Sequence, residues 1–360
     1  MLNKVIISGG GTGGHIFPAI AIANEIKKRN PLAEILFIGA LGRMEMEKVP
    51  NAGYKIIGLP ISGIQRKLTL SNLLVPFKLI KSIYMAKKII RDFKPEIVVG
   101  VGGYASSATL YAANALNIPT LIQEQNSYAG LTNKWLSKKV DIICVAYENM
   151  DTFFPKNKIK ITGNPVREEL LHAHHISKAE AKKTLGFDQD KSLILVIGGS
   201  LGARTINQAM QNNLDTLINN NCQLLWQTGK NFKATIDGKT GIKASEFIYE
   251  MNVAYAAADV VISRAGAISV SELTLIGKPT ILVPSPNVTD DHQTKNAMAL
   301  VNQNACVLVN DMEASTMLIS TAIKLIKDKT WQNELSKSII KLSKPNALND
   351  IVNEIETLKK

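Results

Sequence analysis

The chain has 360 residues, 46% of them hydrophobic, with 42 basic and 30 acidic side chains for a net charge of +12. That length predicts two domains, no segment approaches the ~18 uninterrupted apolar residues of a membrane-spanning helix, and the early glycine-rich start does not read as a secretory signal. Cys144, Cys222 and Cys306 lie far apart with no Cys-x-x-Cys pair, so neither a disulfide framework nor a structural zinc site is predicted, and a reduced, cytoplasmic setting is. The positive balance points to an anionic partner: nucleic acid, acidic lipid or a phosphorylated substrate.

Short β-branched runs alternate with amphipathic stretches along the chain. In the first half the predicted strands are "KVIIS" (4–8), "EILFI" (34–38), "YKIIGL" (54–59), "EIVVGV" (96–101), "PTLIQ" (119–123) and "DIICVA" (141–146). In the second half they are "SLILVIG" (192–198), "QLLWQ" (223–227), "SEFIYE" (245–250), "DVVIS" (259–263), "PTILVP" (279–284) and "CVLVN" (306–310). Near-continuous apolar strands between helices predict parallel sheets covered on both faces, an α/β class. "VIISGGGTGG" and "LVIGGSLGA" each run a strand into a glycine turn that opens a helix, so the halves rhyme as two doubly wound, Rossmann-like domains. The seam falls near "ITGNPVREEL" (161–170), giving 1–165 with a returning C-terminal helix at 345–360, and 166–344.

Five glycines lie between Gly9 and Gly14. A glycine turn at the carboxyl end of a parallel strand lets backbone N–H groups face an anion at a helix N-terminus. Gly9, Gly11 and Gly14 fit G-x-G-x-x-G, yet the second strand ends "LFIGALGR" without the acid a dinucleotide ribose needs. The bland alternative is a tight turn with no ligand. His15 falls in the first helical turn, where the dipole disfavours the imidazolium; a neutral imidazole there can accept a hydroxyl proton, or simply cap or pack the helix.

The second half carries more specific signals. In "SRAGAISVSEL" (263–273) a strand ends, a small-residue turn follows and a helix starts, with Glu272 one turn in, placed to accept from vicinal hydroxyls or to serve as an ordinary early-helix acid. "VPSPNVTDDHQTKNA" (283–297) clusters Asp291, His292, Gln293 and Asn296, whose amides suit sugar hydroxyls. "GGSLGA" (198–203) adds a second helix N-terminus for phosphate, with Ser200. Asp188 and Asp190 form an Asp-x-Asp pair of the metal-binding kind, but before a strand, at the wrong end of the sheet, so they read as a surface turn. His172, His174 and His175 read as exposed histidines in a polar stretch.

In chain order, "GGGTGGHIFPA", "GVGGYASSATLYAA", "QEQNSYAGLTNKWL", "GNPVR", "GGSLGAR", "SRAGAISVSEL" and "DDHQTKNA" together resemble glycosyltransferase family 28, inverting enzymes of the two-domain GT-B type whose domains face across a cleft. The resemblance covers nearly the whole chain. It implies metal-independent transfer of N-acetylglucosamine from UDP-GlcNAc to a lipid-linked muramyl-pentapeptide (lipid I), without a cofactor, by a peripheral protein on the cytoplasmic side of the inner membrane. The first domain would take acceptor and membrane, the second the UDP-sugar. Carried over, it places Thr12, Gly13, Gly14 and Asn126 beside the donor, and Arg167 and Ser200 near its diphosphate. Ile248 would hold the uracil through its backbone, Ala267, Ile268, Ser269, Val270, Ser271 and Glu272 would line the nucleoside with Glu272 on the ribose, and Gln293 would bind the transferred sugar; His15 is the candidate base. Three positions depart from the usual pattern: Leu201 where glutamine is common, Gln123 where histidine is, and Ala108 where proline is.

Between Gly63 and Lys94 stand eight basic residues (Arg66, Lys67, Lys78, Lys81, Lys87, Lys88, Arg91 and Lys94) and one acid, Asp92, with Leu73, Leu74, Val75, Phe77, Leu79 and Ile80 interleaved. By itself this reads equally as an ordinary surface helix or as a segment at an anionic bilayer; the resemblance selects the membrane, with other cell-wall synthesis proteins as candidate partners. No nucleic-acid motif accompanies the charge. Two other readings stand beside the transferase. One is a UDP-sugar epimerase, which needs a pair of carboxylates where only Glu124 is evident; the other is a non-catalytic nucleotide-sugar binding module, which would not need His15.

Overall fold

The computed structural model describes residues 1–63, 75–171 and 173–359. The chain divides into two compact units, Met1–Val166 with Asn346–Lys360, and Arg167–Pro345.

The first unit is built on a seven-stranded parallel sheet of β1 (Lys4–Ser8), β2 (Glu34–Ala40), β3 (Lys55–Leu59), β4 (Ile97–Gly100), β5 (Thr120–Glu124), β6 (Ile142–Val145) and β7 (Ile159–Ile161), in the order β3-β2-β1-β4-β5-β6-β7. Successive side chains of one strand enter opposite cores. Val5 and Ile7 pack with Ile35, Val99 and Leu121 on one face. Ile6 packs with Ile38, Val98, Ile122 and Ile143 on the other. Two covered faces are why the strands read as unbroken apolar runs. Helix Ala347–Thr357 returns to this unit, burying Ile351, Val352 and Ile355 in the core that also receives Ile16, Ile22 and Ile26 of helix Gly13–Arg29. Glu356 pairs with Arg29 at 3.0 Å beside that seam.

The second unit repeats the plan with six parallel strands: β8 (Ser192–Ile197), β9 (Cys222–Gln227), β10 (Ile242–Ser245), β11 (Val260–Ser263), β12 (Thr280–Leu282) and β13 (Val307–Leu308), ordered β10-β9-β8-β11-β12-β13. Trp226 is wholly buried in one of its cores, its indole N–H donating to Asn207 Oδ1 at 3.0 Å. The three cysteines are buried and free, and burial pushes the Cys306 thiol up to about 12.

Two sequence expectations need correction. "SEFIYE" is not a strand: β10 lies earlier, at Ile242–Ser245, in register with β9 from Leu224 to Gln227. Beyond Gln227 the partner strand has ended, so the β-forming residues Phe247 and Tyr249 sit on an exposed loop despite their propensity. The short edge strand β7 was not anticipated, because "KIKI" is too brief and too charged to stand out. In each sheet the strand order reverses direction once, between β1 and β4 and between β8 and β11. Loops leaving the carboxyl ends of strands on either side of such a point form the crevice where α/β sheets bind ligands.

Candidate active site

In the first unit, the loops after β1 and β4 meet backbone to backbone. A Cβ on Gly9 would stand 2.1 Å from Val101 Cγ2, and one on Gly103 2.6 Å from the Gly10 carbonyl oxygen. These glycines are therefore required by protein packing. Gly11 differs: its φ of +85° needs glycine, while the space beside its Cα is open. Gly13 and Gly14 begin helix Gly13–Arg29 on its accessible side, and Thr12 is the exposed N-cap, its carbonyl accepting from His15 and Ile16 at 3.1 Å. His15 is half-buried, with Nε2 2.9 Å from the point a Cβ on Gly102 would occupy and Nδ1 2.9 Å from the Gly10 carbonyl oxygen. A carbonyl can only accept, so a neutral His15 carries its proton on Nδ1 and leaves Nε2 as the basic nitrogen.

The loop after β5 is organised by Glu124, which is buried. Its carboxylate accepts from the Asn126 backbone and side chain at 3.1 and 3.3 Å, the Gly130 N–H at 3.0 Å and Asn133 Nδ2 at 2.8 Å. Four donors make it a loop-shaping anion, which removes the carboxylate an epimerase reading would use. Asn126 is thus bound to Glu124 and sits half-buried at the loop's start.

In the second unit, helix Ala267–Ile276 follows β11, with Gly266 as N-cap and no side chain capping it. Ala267, Ile268 and Ser269 are half-buried, Val270 is buried, and Ser271 Oγ donates back to the Ala267 carbonyl at 3.1 Å. The structure brings Glu272 and Arg167 together: Arg167 Nε donates to Glu272 Oε1 at 2.9 Å, and the Tyr255 hydroxyl to Oε2 at 3.3 Å. Glu272 is only 4% exposed, whereas the Arg167 side chain is 42% exposed. Burial pushes the Glu272 carboxyl up against the opposing pull of Arg167, and burial with the adjacent Glu272 drives the Tyr255 phenol well up. A carboxylate has about four acceptor sites, so two remain beyond those used by Arg167 and Tyr255.

On the other side of the switch point, Ser200 is exposed at the tip of the loop after β8. Gly199 (φ +81°) has open space beside it, while a Cβ on Gly202 would stand 2.2 Å from the Thr228 carbonyl. Ile248 is buried, and its N–H donates to Gln227 Oε1 at 3.1 Å, which occupies its backbone donor. Gln293 Oε1 accepts from the Ser285 N–H at 2.8 Å, directing its amide donors elsewhere. Asp188 accepts from the Asp190 N–H at 2.9 Å in an exposed turn before β8, and among the described residues no three His, Cys, Asp or Glu side chains converge as metal ligands would. His175 is exposed; His172 lies outside the described residues.

Comparison with known proteins gives the family. The model of the glycosyltransferase family 28 N-terminal domain matches residues 5–145, and that of its C-terminal domain residues 193–353. The chain belongs to glycosyltransferase family 28. A Cytophaga hutchinsonii relative, 56% identical over 98% of this chain and 96% of its own, is named UDP-N-acetylglucosamine–N-acetylmuramyl-(pentapeptide) pyrophosphoryl-undecaprenol N-acetylglucosamine transferase. A Parabacteroides distasonis relative of the same name is 54% identical, covering 98% and 97%. Among solved structures, Acinetobacter baumannii MurG matches with a TM-score of 0.79 at 27% identity, covering 99% of each chain.

The positions where this family 28 chain departs from pattern have separate local settings. Ala108 is buried within helix Tyr104–Asn114. Gln123 is buried on β5, donating to Asn164 at 2.8 Å. Leu201 is 55% exposed on the loop after β8. Within helix Val75–Phe93, Ser82, Ala86 and Ile90 are buried, while Leu79 packs against the core. Phe77, Ile80 and Tyr84 point outward at 70%, 66% and 72% exposure, beside exposed Lys81 and Lys88. Arg66, Lys67, Leu73 and Leu74 fall outside the described residues. Sequence reasoning missed Glu45, Gln227 and Tyr255, whose bonds to Gly11, Ile248 and Glu272 carry no motif signal.

Proposed function

We propose that the chain transfers N-acetylglucosamine from UDP-GlcNAc to the C4 hydroxyl of lipid I, inverting the anomeric centre and forming lipid II for peptidoglycan. The reading is carried by identity above 50% over 98% of the chain to relatives named for this transfer.

The residues can be assigned roles in that reaction. Glu272 accepts from the ribose hydroxyls, with the carbonyl of Ile248 on the uracil. The open N-terminus of helix Ala267–Ile276 and the loop carrying Ser200 face the diphosphate, where N–H groups and helix dipoles stabilise the negative charge that builds on departing UDP. Arg167, the more exposed member of its pair with Glu272, has Nη1 3.7 Å from Glu169 Oε1 and turns its terminal N–H donors to the same charge. Gln293 presents its amide to the sugar, and in the first unit Thr12, Gly13, Gly14 and Asn126 are the candidate contacts on the loops after β1 and β5. His15 Nε2 takes the proton of the acceptor hydroxyl as its oxygen attacks the anomeric carbon and the C1–O bond to UDP breaks. The outward Phe77, Ile80 and Tyr84 among lysines support docking on an anionic membrane surface, where each basic residue contributes about 1 kcal/mol; no described helix is long and apolar enough to cross a membrane.

The test is turnover with UDP-GlcNAc, a short-chain lipid I analogue and EDTA. The expected result is UDP release that needs acceptor and survives the chelator. Donor conversion without acceptor would restore the epimerase reading, and binding without turnover would leave a binding module.

A further inference from the structure

Glu45 is the first residue of helix Glu45–Asn51 and is completely buried. An ionised carboxylate in such a place is strongly unfavourable unless compensated. Among the described residues it has no ion pair. Its compensation comes from two backbone donors, Ala40 N–H to Oε1 at 3.0 Å and Gly11 N–H to Oε2 at 2.8 Å, and from its own helix N-terminus. The surrounding chain is cut to fit it: a Cβ on Gly10 would stand 2.1 Å from Oε1, and one on Gly39 2.6 Å from its Cγ.

The Gly11 N–H and the Gly10 carbonyl belong to one planar peptide and point in opposite directions. On the far side of that peptide, His15 Nδ1 donates to the Gly10 oxygen at 2.9 Å. The three groups therefore form a line: carboxylate, peptide, imidazole. A negative charge on the N–H side polarises the peptide and makes its carbonyl a stronger acceptor, which holds the proton on Nδ1 and raises electron density at Nε2. We propose that Glu45 is a positioning residue for His15, fixing its Nδ1–H tautomer and strengthening Nε2 as a base through the Gly10–Gly11 peptide. This rests on His15 being the base, as proposed above. The other ionisable groups on the packed elements are poorly placed for the task. Arg43 and Glu47 are exposed, Lys48 pairs with Glu47 at 2.9 Å, the Tyr104 phenol is half exposed, and the first turn of His15's own helix holds no acid.

The experiment is imidazole ¹⁵N NMR above neutral pH on the full chain and on Glu45→Gln, with steady-state kinetics on both. In the unsubstituted chain His15 is expected as the Nδ1–H tautomer; a predominant Nε2–H form would overturn the proposal whether or not the variant folds. In Glu45→Gln the Nδ1–H fraction is expected to fall and kcat to drop about tenfold or more, with donor KM within about twofold. An unchanged tautomer, with kcat, KM and melting temperature declining together, would reduce Glu45 to a structural acid and overturn the relay. A shifted tautomer with unchanged kcat would uphold the relay and remove His15 as the base.

Discussion

The two glycine loops, one after β1 and one after β8, look alike in sequence and differ in what their amides meet. In the first, the anion is internal: Glu45 takes the Gly11 N–H, and the opposite side of that peptide holds His15. In the second, no carboxylate bonds the amides of Gly199, Ser200 or Leu201 among the described residues, and Gly199 borders open space. A strand, glycine turn and helix thus give an anion-binding geometry in both places. One loop is filled by the protein's own carboxylate and carries His15, the proposed base; the other borders open space, where the proposed function puts the donor's diphosphate.

Substitutions can break that contrast, beginning with the largest effect. His15→Ala should lower kcat by about 10²- to 10⁴-fold and leave donor KM nearly unchanged in steady-state assays, because the nucleoside and diphosphate contacts are assigned to other residues, chiefly Glu272, Ile248, Arg167 and Ser200. Glu272→Gln should weaken UDP binding by roughly 2–5 kcal/mol in calorimetry. It should not weaken the fold. Burial raises the Glu272 carboxyl, so its ionised form opposes folding above that raised value. The ligand-free unsubstituted unit therefore gains stability as pH falls from neutral toward the ordinary carboxylate range. Glu272→Gln should remove that slope and match or exceed the parent's thermal unfolding temperature at neutral pH.

Smaller effects sharpen the comparison within each loop. Gly10→Ala and Gly202→Ala meet Glu45 and the Thr228 carbonyl at 2.1 and 2.2 Å, whereas Gly11→Ala and Gly199→Ala meet nothing within 4 Å. All four carry the cost of a positive φ, so the first pair should lose about 1–3 kcal/mol more than the second in denaturant unfolding. Gly199→Ala should still impair donor binding. The smallest effect belongs to Leu201→Gln: an exposed change, neutral for stability, improving donor KM by at most one hydrogen bond, about 0.5–1.5 kcal/mol.

Much of this was legible from the residues alone. Eleven of the twelve predicted strands match observed ones over two residues or more, and "SEFIYE" shares only Ser245, because a strand covered on both faces must be apolar along its whole length, and that pattern is local. The strand-to-helix turns that lead into the helices starting at Gly13 and Ala267 were legible to within a residue or two, since glycine and small residues mark where a strand must turn into a helix. "SEFIYE" failed because its propensity is intrinsic while a strand also needs a partner, and β9 had ended. For the candidate site the sequence offered a list of residues and not their bonds. Nothing in the sequence pairs Arg167 with Glu272, 105 positions apart, or sets Tyr255 behind that carboxylate. Nor does "GRMEMEK" reveal which of its two glutamates is buried. The sequence by itself determined the periodicities, the glycine turns and the family, all of which depend on residues close along the chain. Tertiary structure alone decided which buried anion meets which donor, because burial and hydrogen bonding are settled by elements that come together only when the sheets assemble.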